Sequence, residues 1–245
     1  MARRYRNPPI AEAVCEFRLT RDTPWDLAIP GLLYERLRAE FPHREQRLFQ
    51  EVELTQGPDG LQQQIRTIER IFLFSEDRKT FVQIGPRIVA VNCLRPYPGW
   101  QNFKPKIEMA LDALCDELEA KRFEQIGLRY INRISVPSPL VKLEDYFQFY
   151  VFLGPDLPQE IGNFIAGCEF FYAEGRDVCR LQLTPAVGQS ADKPDFLLDI
   201  GYSLAQSGEF ERDRALDWIE SAHTTIGQIF EGCITDRLRE LFLRE

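Results

Sequence analysis

Polar and apolar residues alternate along several short stretches of this chain and twice give way to a helical stripe. From Ile10 to Thr20, Ala11, Ala13, Cys15, Phe17 and Leu19 fall on one side, with Glu12, Glu16 and Arg18 opposite. That period of two predicts a strand with one buried face. Pro30–Phe41 places Leu32, Leu33, Leu37 and Phe41 near helical spacing, with Pro30 acceptable in the first turn and Pro42 blocking continuation. Gln46–Gln56 and Leu61–Ser75 read as strands around the turn signal Gly57-Pro58-Asp59-Gly60. Thr80–Ile84 and Arg87–Leu94 form a second hairpin across Gly85-Pro86. Ile107, Leu111, Leu114 and Leu118 then mark a helix over Trp100–Lys121, before Ile126–Val136 returns to strand spacing.

The prolines of Val136-Pro137-Ser138-Pro139-Leu140 stiffen the chain and remove donors, so the best boundary falls there. It separates residues 1–137 from 138–245, unless the two form one continuous domain. Beyond it, Leu157–Phe164 suits a short helix, and Ala166–Glu174 with Val178–Pro185 a hairpin across Gly175-Arg176-Asp177. Phe196–Leu204 alternates as a strand. The stripe Leu216, Ile219, Ala222, Ile226, Phe230, Ile234 and Leu238 predicts a closing helix over Asp213–Leu243. Gly232 favours a bend in it, and Thr235 can cap a restart. The fold class is therefore α+β, with antiparallel sheets each covered by a long amphipathic helix. Trp100 and Trp218 each announce such a helix, which leaves open a duplication of one half.

Composition narrows the classes. The chain has 245 residues, 44% hydrophobic and 28% charged, with a formal net charge of -8. An acidic balance makes nucleic acid an unlikely main partner. No run approaches the roughly 20 apolar residues of a membrane-spanning helix. The start is basic (Arg3, Arg4, Arg6) but lacks the apolar core of a secretory signal, and reads as a solvated end that docks at Pro8-Pro9-Ile10. Six scattered cysteines without a C-x-x-C pair suit reduced, buried thiols in a cytoplasmic protein. With two histidines, a structural zinc site is not expected, and no other metal or cofactor is implied.

Catalytic patterns are few. His43 follows a helix in a turn, and His223 lies on the closing helix stripe, where a hydrogen-bonded core histidine is expected. Glu220 and His223 make one E-x-x-H pair, whereas di-iron bundles need two. Phosphate-binding glycine loops are absent, and Glu119, Lys121 and Asp195 are only fragments of a metal-nuclease set. The remaining polar feature is arginine on strands. Arg129 and Arg133 share the face opposite Leu128 and Tyr130, and Arg66 and Arg70 share a face of their own strand. Were these strands neighbours, four guanidinium groups could grip a phosphate or carboxylate, with Tyr130 and Asn132 adding hydrogen bonds. The competing reading is cross-strand pairing with acidic residues on a solvated face, with Asn132 satisfying nearby backbone.

Three segments carry a resemblance: Asn7 to Arg18 (NPPIAEAVCEFR), Ile126 to Ile134 (IGLRYINRI), and Ala222–Ile226 with Phe230 and Ile234–Leu238. They resemble signature stretches of a sporadically distributed, uncharacterised family of bacterial and archaeal proteins of about this length. The resemblance implies no activity, cofactor or catalytic residue. Its patchy distribution is similar to that of families carried on mobile or defence-related islands. The leading expectation is a non-enzymatic binding or assembly protein, such as an accessory subunit of a defence or mobile-element system. A protein partner or self-association would engage the closing helix, whose stripe could outrun its own sheet. The alternative is a sensor of a small anionic ligand, such as a nucleotide, held by the strand arginines. An enzyme built on Glu220 and His223 comes third.

Overall fold

In a computed structural model, residues 5–57, 60–138, 141–159, 162–186, 193–206 and 208–243 are described, without the side chains of 50–66. The first segment runs β1 (Ile10–Leu19), α1 (Ile29–Leu37), β2 (His43–Gly57), β3 (Gly60–Phe74), β4 (Thr80–Gly85), β5 (Ile88–Leu94) and α2 (Trp100–Leu118). The second runs β6 (Arg122–Ser135), β7 (Ala166–Tyr172), β8 (Asp177–Pro185), β9 (Asp195–Leu204), β10 (Phe210–Glu211), α3 (Ala215–Cys233) and α4 (Asp236–Leu243).

The strands join in one antiparallel sheet, ordered β2-β3-β4-β5-β1-β6-β9-β8-β7, with β10 beside β6. The α+β class holds, and the sheet runs unbroken across the proline-rich boundary. Period two decides which side chains meet the helices. Ala13, Cys15 and Phe17 of β1 share a face with their partners Tyr130, Leu128 and Ile126 of β6, and all six are buried. On this face α2 packs on β5, α3 on β6 and β9, and α1 on α2. Phe103, Ile107, Leu111 and Leu114 recur at three- and four-residue spacing, so one side of α2 fills the core.

The opposite face is polar over most strands. Its main apolar patch is Phe72, Phe74 and Phe81, shielded by the guanidinium groups of Arg47 and Arg78. The β2–β3 hairpin meets β4 only through Ile71–Phe74, so its distal part is paired within itself.

The closing helix is two helices. α3 ends at Cys233, because Ile234 turns extended and bridges to Phe147, while Thr235 N–H donates to Tyr146 O at 3.0 Å. Thr235 Oγ1 then accepts from Leu238 N–H at 3.3 Å and opens α4, as a capping residue does. Along this stripe Ile219, Ala222, Ile226, Ile234, Leu238 and Phe242 are buried, Leu216, Phe230 and Leu241 are partly buried against the core, and Leu243 is exposed. The short helix expected over 157–164 is absent from the described part of that segment. Among described residues, no helix is long and apolar enough to cross a membrane.

Candidate functional site

A cavity of about 460 Å³ opens where α2 begins, α3 passes and the start of β1 leaves the sheet. Backbone irregularity shapes its floor. β1 faces β6 in register until a shift between Ile10 and Glu12, where Ile10 comes opposite Asn132. Such a bulge re-aims side chains at a sheet margin. Beyond it Pro9 O accepts from Arg133 N–H at 2.8 Å, and Asn7 N–H donates to Phe242 O at 3.1 Å. Residues 5–9 thus form a strap along one wall. Tyr5 pins the strap: its hydroxyl donates to Glu231 Oε1 at 2.6 Å, and its ring meets Phe230 and Phe242 edge-on. The terminus docks earlier than Pro8 alone would do. Arg6 lines the cavity, while Arg3 and Arg4 lie outside the described residues.

α3 contributes His223, Ile226, Gly227 and Phe230 from one helical face. The His223 ring stacks on Trp100 at 4.1 Å between centroids and 9° between planes. Its Nδ1 lies 3.0 Å from Tyr130 Oη, which lies 3.2 Å from Tyr97 Oη. Burial pushes both phenols up, so both keep their protons. Burial also lowers the His223 pKa, ahead of the opposing effect of Glu220, so the imidazole is neutral near pH 7. The proton chain can run either way along Tyr97, Tyr130 and His223. In both directions Nε2 is left without a partner among the described residues, as donor in one and acceptor in the other.

Glu220 belongs to the outside of this arrangement. It accepts from Lys104 Nζ at 2.7 Å and from Trp100 Nε1 at 3.1 Å, and the lysine chiefly holds its carboxyl below the usual range. It clamps α2 to α3 and fixes the ring on which His223 stacks. Among described residues no group of three or more His, Cys, Asp or Glu could hold a metal ion. The cysteines are reduced, with Cys115 and Cys179 pushed up to about 11 chiefly by burial, which keeps them protonated.

Of the residues expected at a site, Tyr130 and Asn132 line this cavity. Asn132 does satisfy backbone, with Nδ2 donating to Leu198 O at 3.0 Å. The arginines do not converge. Arg129 and Arg133 point to the opposite face and pair across to β9, Arg129 with Asp199 and Arg133 with Asp195 at 2.7 Å. Arg70 donates to Gln83 Oε1 at 3.3 Å on β4. Its strand lies four inter-strand steps from β6, which is about 19 Å at about 4.8 Å per step. The Arg66 side chain lies outside the described residues, and its backbone faces Glu51. Strand order separates the strand of Arg66 and Arg70 from that of Arg129 and Arg133, since β4, β5 and β1 intervene. Tyr5, Tyr97 and Trp100 went unread as site residues. The signals were the prolines at 8, 9, 96 and 98, which frame two bends meeting at one hollow.

Comparison with protein-family models, with curated proteins and with solved structures returns no match for this chain.

Proposed function

We propose that this chain is a non-enzymatic binding protein whose small ligand occupies the cavity between α2, α3 and the strap. The observation that carries it is the lining: a space of about 460 Å³ framed by aromatic rings, with an imidazole and one deeply buried amide. That volume lies in the range of small-molecule sites, which are mostly apolar with a few placed polar groups. Its walls come from both ends of the chain, so occupancy would tighten the strap, α2 and α3 together. Among the lining residues no serine or cysteine nucleophile stands beside His223, which favours binding over acyl transfer.

This reading keeps the sensor expected from the sequence and moves its site off the strand arginines. Membership of the sporadic bacterial and archaeal family, and an accessory role in a defence or mobile-element system, are compatible with it. Strand order supports the idea of two related halves: outward from the β1–β6 pair it runs β5, β4, β3 on one side and β9, β8, β7 on the other.

Thermal-shift screening with a metabolite panel tests the proposal. A ligand at 100 times its dissociation constant adds about 2.7 kcal/mol of stability. Gly227→Phe places a ring in the wall and gains helix propensity, so a variant that keeps its helical circular dichroism should lose the shift. A shift that persists undiminished in Gly227→Phe would place the ligand elsewhere.

A second reading, self-association, draws on the β7 edge of the sheet. Ile165, just before β7, and Phe171 within it are 72% and 65% exposed, and β7 carries no lysine or proline to deter pairing. Light scattering would give a dimer under this reading and a monomer under the first alone.

A further inference from the structure

We propose that the cavity takes an uncharged planar aromatic ligand with one hydrogen-bonding atom at its edge, set against His223 Nε2. This rests on the binding reading above and adds the chemistry of what binds.

The imidazole is held ready for an edge contact. Trp100 stacks on its face and Tyr130 Oη lies 3.0 Å from Nδ1, which fixes the ring in both plane and rotation. Its Nε2 is not shut in, because the buried side-chain atom without a partner among the described residues is Arg70 Nε. His223 lines the cavity, so a ligand can reach that nitrogen. The chain of Tyr97, Tyr130 and His223 can also reverse. When Tyr130 donates to Nδ1, Nε2 carries the proton and donates; when Nδ1 donates to Tyr130, Nε2 accepts. Reversal creates no charge, so a ring N–H and a ring nitrogen lone pair suit the site equally.

Charge in the wall is already taken up. The charged side chains of the lining are Arg6 and Glu231, and neither is free. Glu231 accepts from the Tyr5 hydroxyl at 2.6 Å and from Arg239 Nε at 2.9 Å. Burial keeps the imidazole neutral and both phenols protonated. A charged ligand would lose its hydration here with no spare counter-charge to offset the loss. The strand arginines that suggested an anion lie on the opposite face, paired with Asp199 and Asp195. Tyr97, Trp100, Tyr130 and Phe230 offer ring surface to a flat body.

Titration of the full chain near neutral pH with indole, quinoline and naphthalene tests this. Indole only donates, quinoline only accepts, and naphthalene does neither. His223→Phe keeps a ring on Trp100 and removes the hydrogen bond, so indole and quinoline should each weaken about fivefold relative to naphthalene. A second measurement needs no variant. The ¹⁵N signal of His223 Nε2 should move toward the lone-pair form with indole and toward the N–H form with quinoline. Indole-3-carboxylate and N-methylquinolinium should bind at least about tenfold more weakly than their uncharged parents. A charged probe that matches its parent overturns the inference, and so does a ¹⁵N signal that ignores both heterocycles or answers only one. Failure of all these probes overturns it too. If a compound of the metabolite panel then still gives a shift that Gly227→Phe removes, the binding reading stands without it; if none does, both fall.

Discussion

At the residue scale, His223 links the cavity to pH. Its neighbours are Trp100 on its face, Tyr130 at Nδ1, and Glu220 and Lys104 beyond. Burial depresses its pKa from the ordinary 6.5, so the unfolded chain binds a proton that the folded chain resists. Stability is then complete above about 6.5 and is lost as pH falls toward the depressed folded value. Urea midpoints for the native chain should fall between about pH 7.5 and about pH 5.5, and His223→Gln should flatten that slope. Parallel slopes would contradict a neutral buried imidazole. Asp177 gives a sharper case. Only 2% exposed, it accepts from Tyr202 Oη and Trp218 Nε1, both at 3.1 Å, and from Arg176 Nε at 2.9 Å. Asp177→Ala strands two buried donors and should cost roughly 2–5 kcal/mol in urea unfolding. A loss under about 1 kcal/mol would show that water replaces the carboxylate.

At the element scale, α2 ends in a conformation its sequence does not favour. Glu119 is the C-cap residue, with φ 48° and ψ 32°, and its N–H donates to Cys115 O. A left-handed conformation costs a residue with a Cβ about 1 kcal/mol and glycine almost nothing. Glu119→Gly should therefore raise the unfolding free energy by about 0.5–1 kcal/mol, and a drop would mean the Glu119 side chain contributes more than its backbone costs. Elements of this kind were legible in the sequence where one periodicity ran uninterrupted. The stripe on α2 and the alternation in β1, β6 and β9 named the buried faces, including the placement of Arg129 opposite Tyr130. Legibility stopped where a distant segment decided the backbone. The split between α3 and α4 is set by Ile234 pairing with Phe147, a contact that spans 87 positions and leaves no local trace beyond Gly232. The cavity was half legible for a related reason. Tyr130 and Asn132 sit on a recognisable strand, but Tyr5, Tyr97 and Trp100 reach them only through the order of strands and the path of the strap.

At the scale of the whole molecule, one continuous sheet carries three helices on a single face and charged cross-strand pairs on the other. The paired arginines belong to that second face, where ion pairs this exposed contribute little to stability. Residues 5–10 and α3 meet the start of α2 on the helical face, and the cavity forms there. The measurement that tests this account most directly is methyl NMR of isoleucine-labelled protein titrated with the compound that gives the largest thermal shift in the metabolite panel. Ile10 and Ile226 line the cavity, whereas Ile131 and Ile71 lie outside its lining. The account predicts saturable shifts at Ile10 and Ile226 with Ile131 and Ile71 unmoved. Shifts centred on Ile131 or Ile71, or no saturable shift at Ile10 and Ile226, would contradict it.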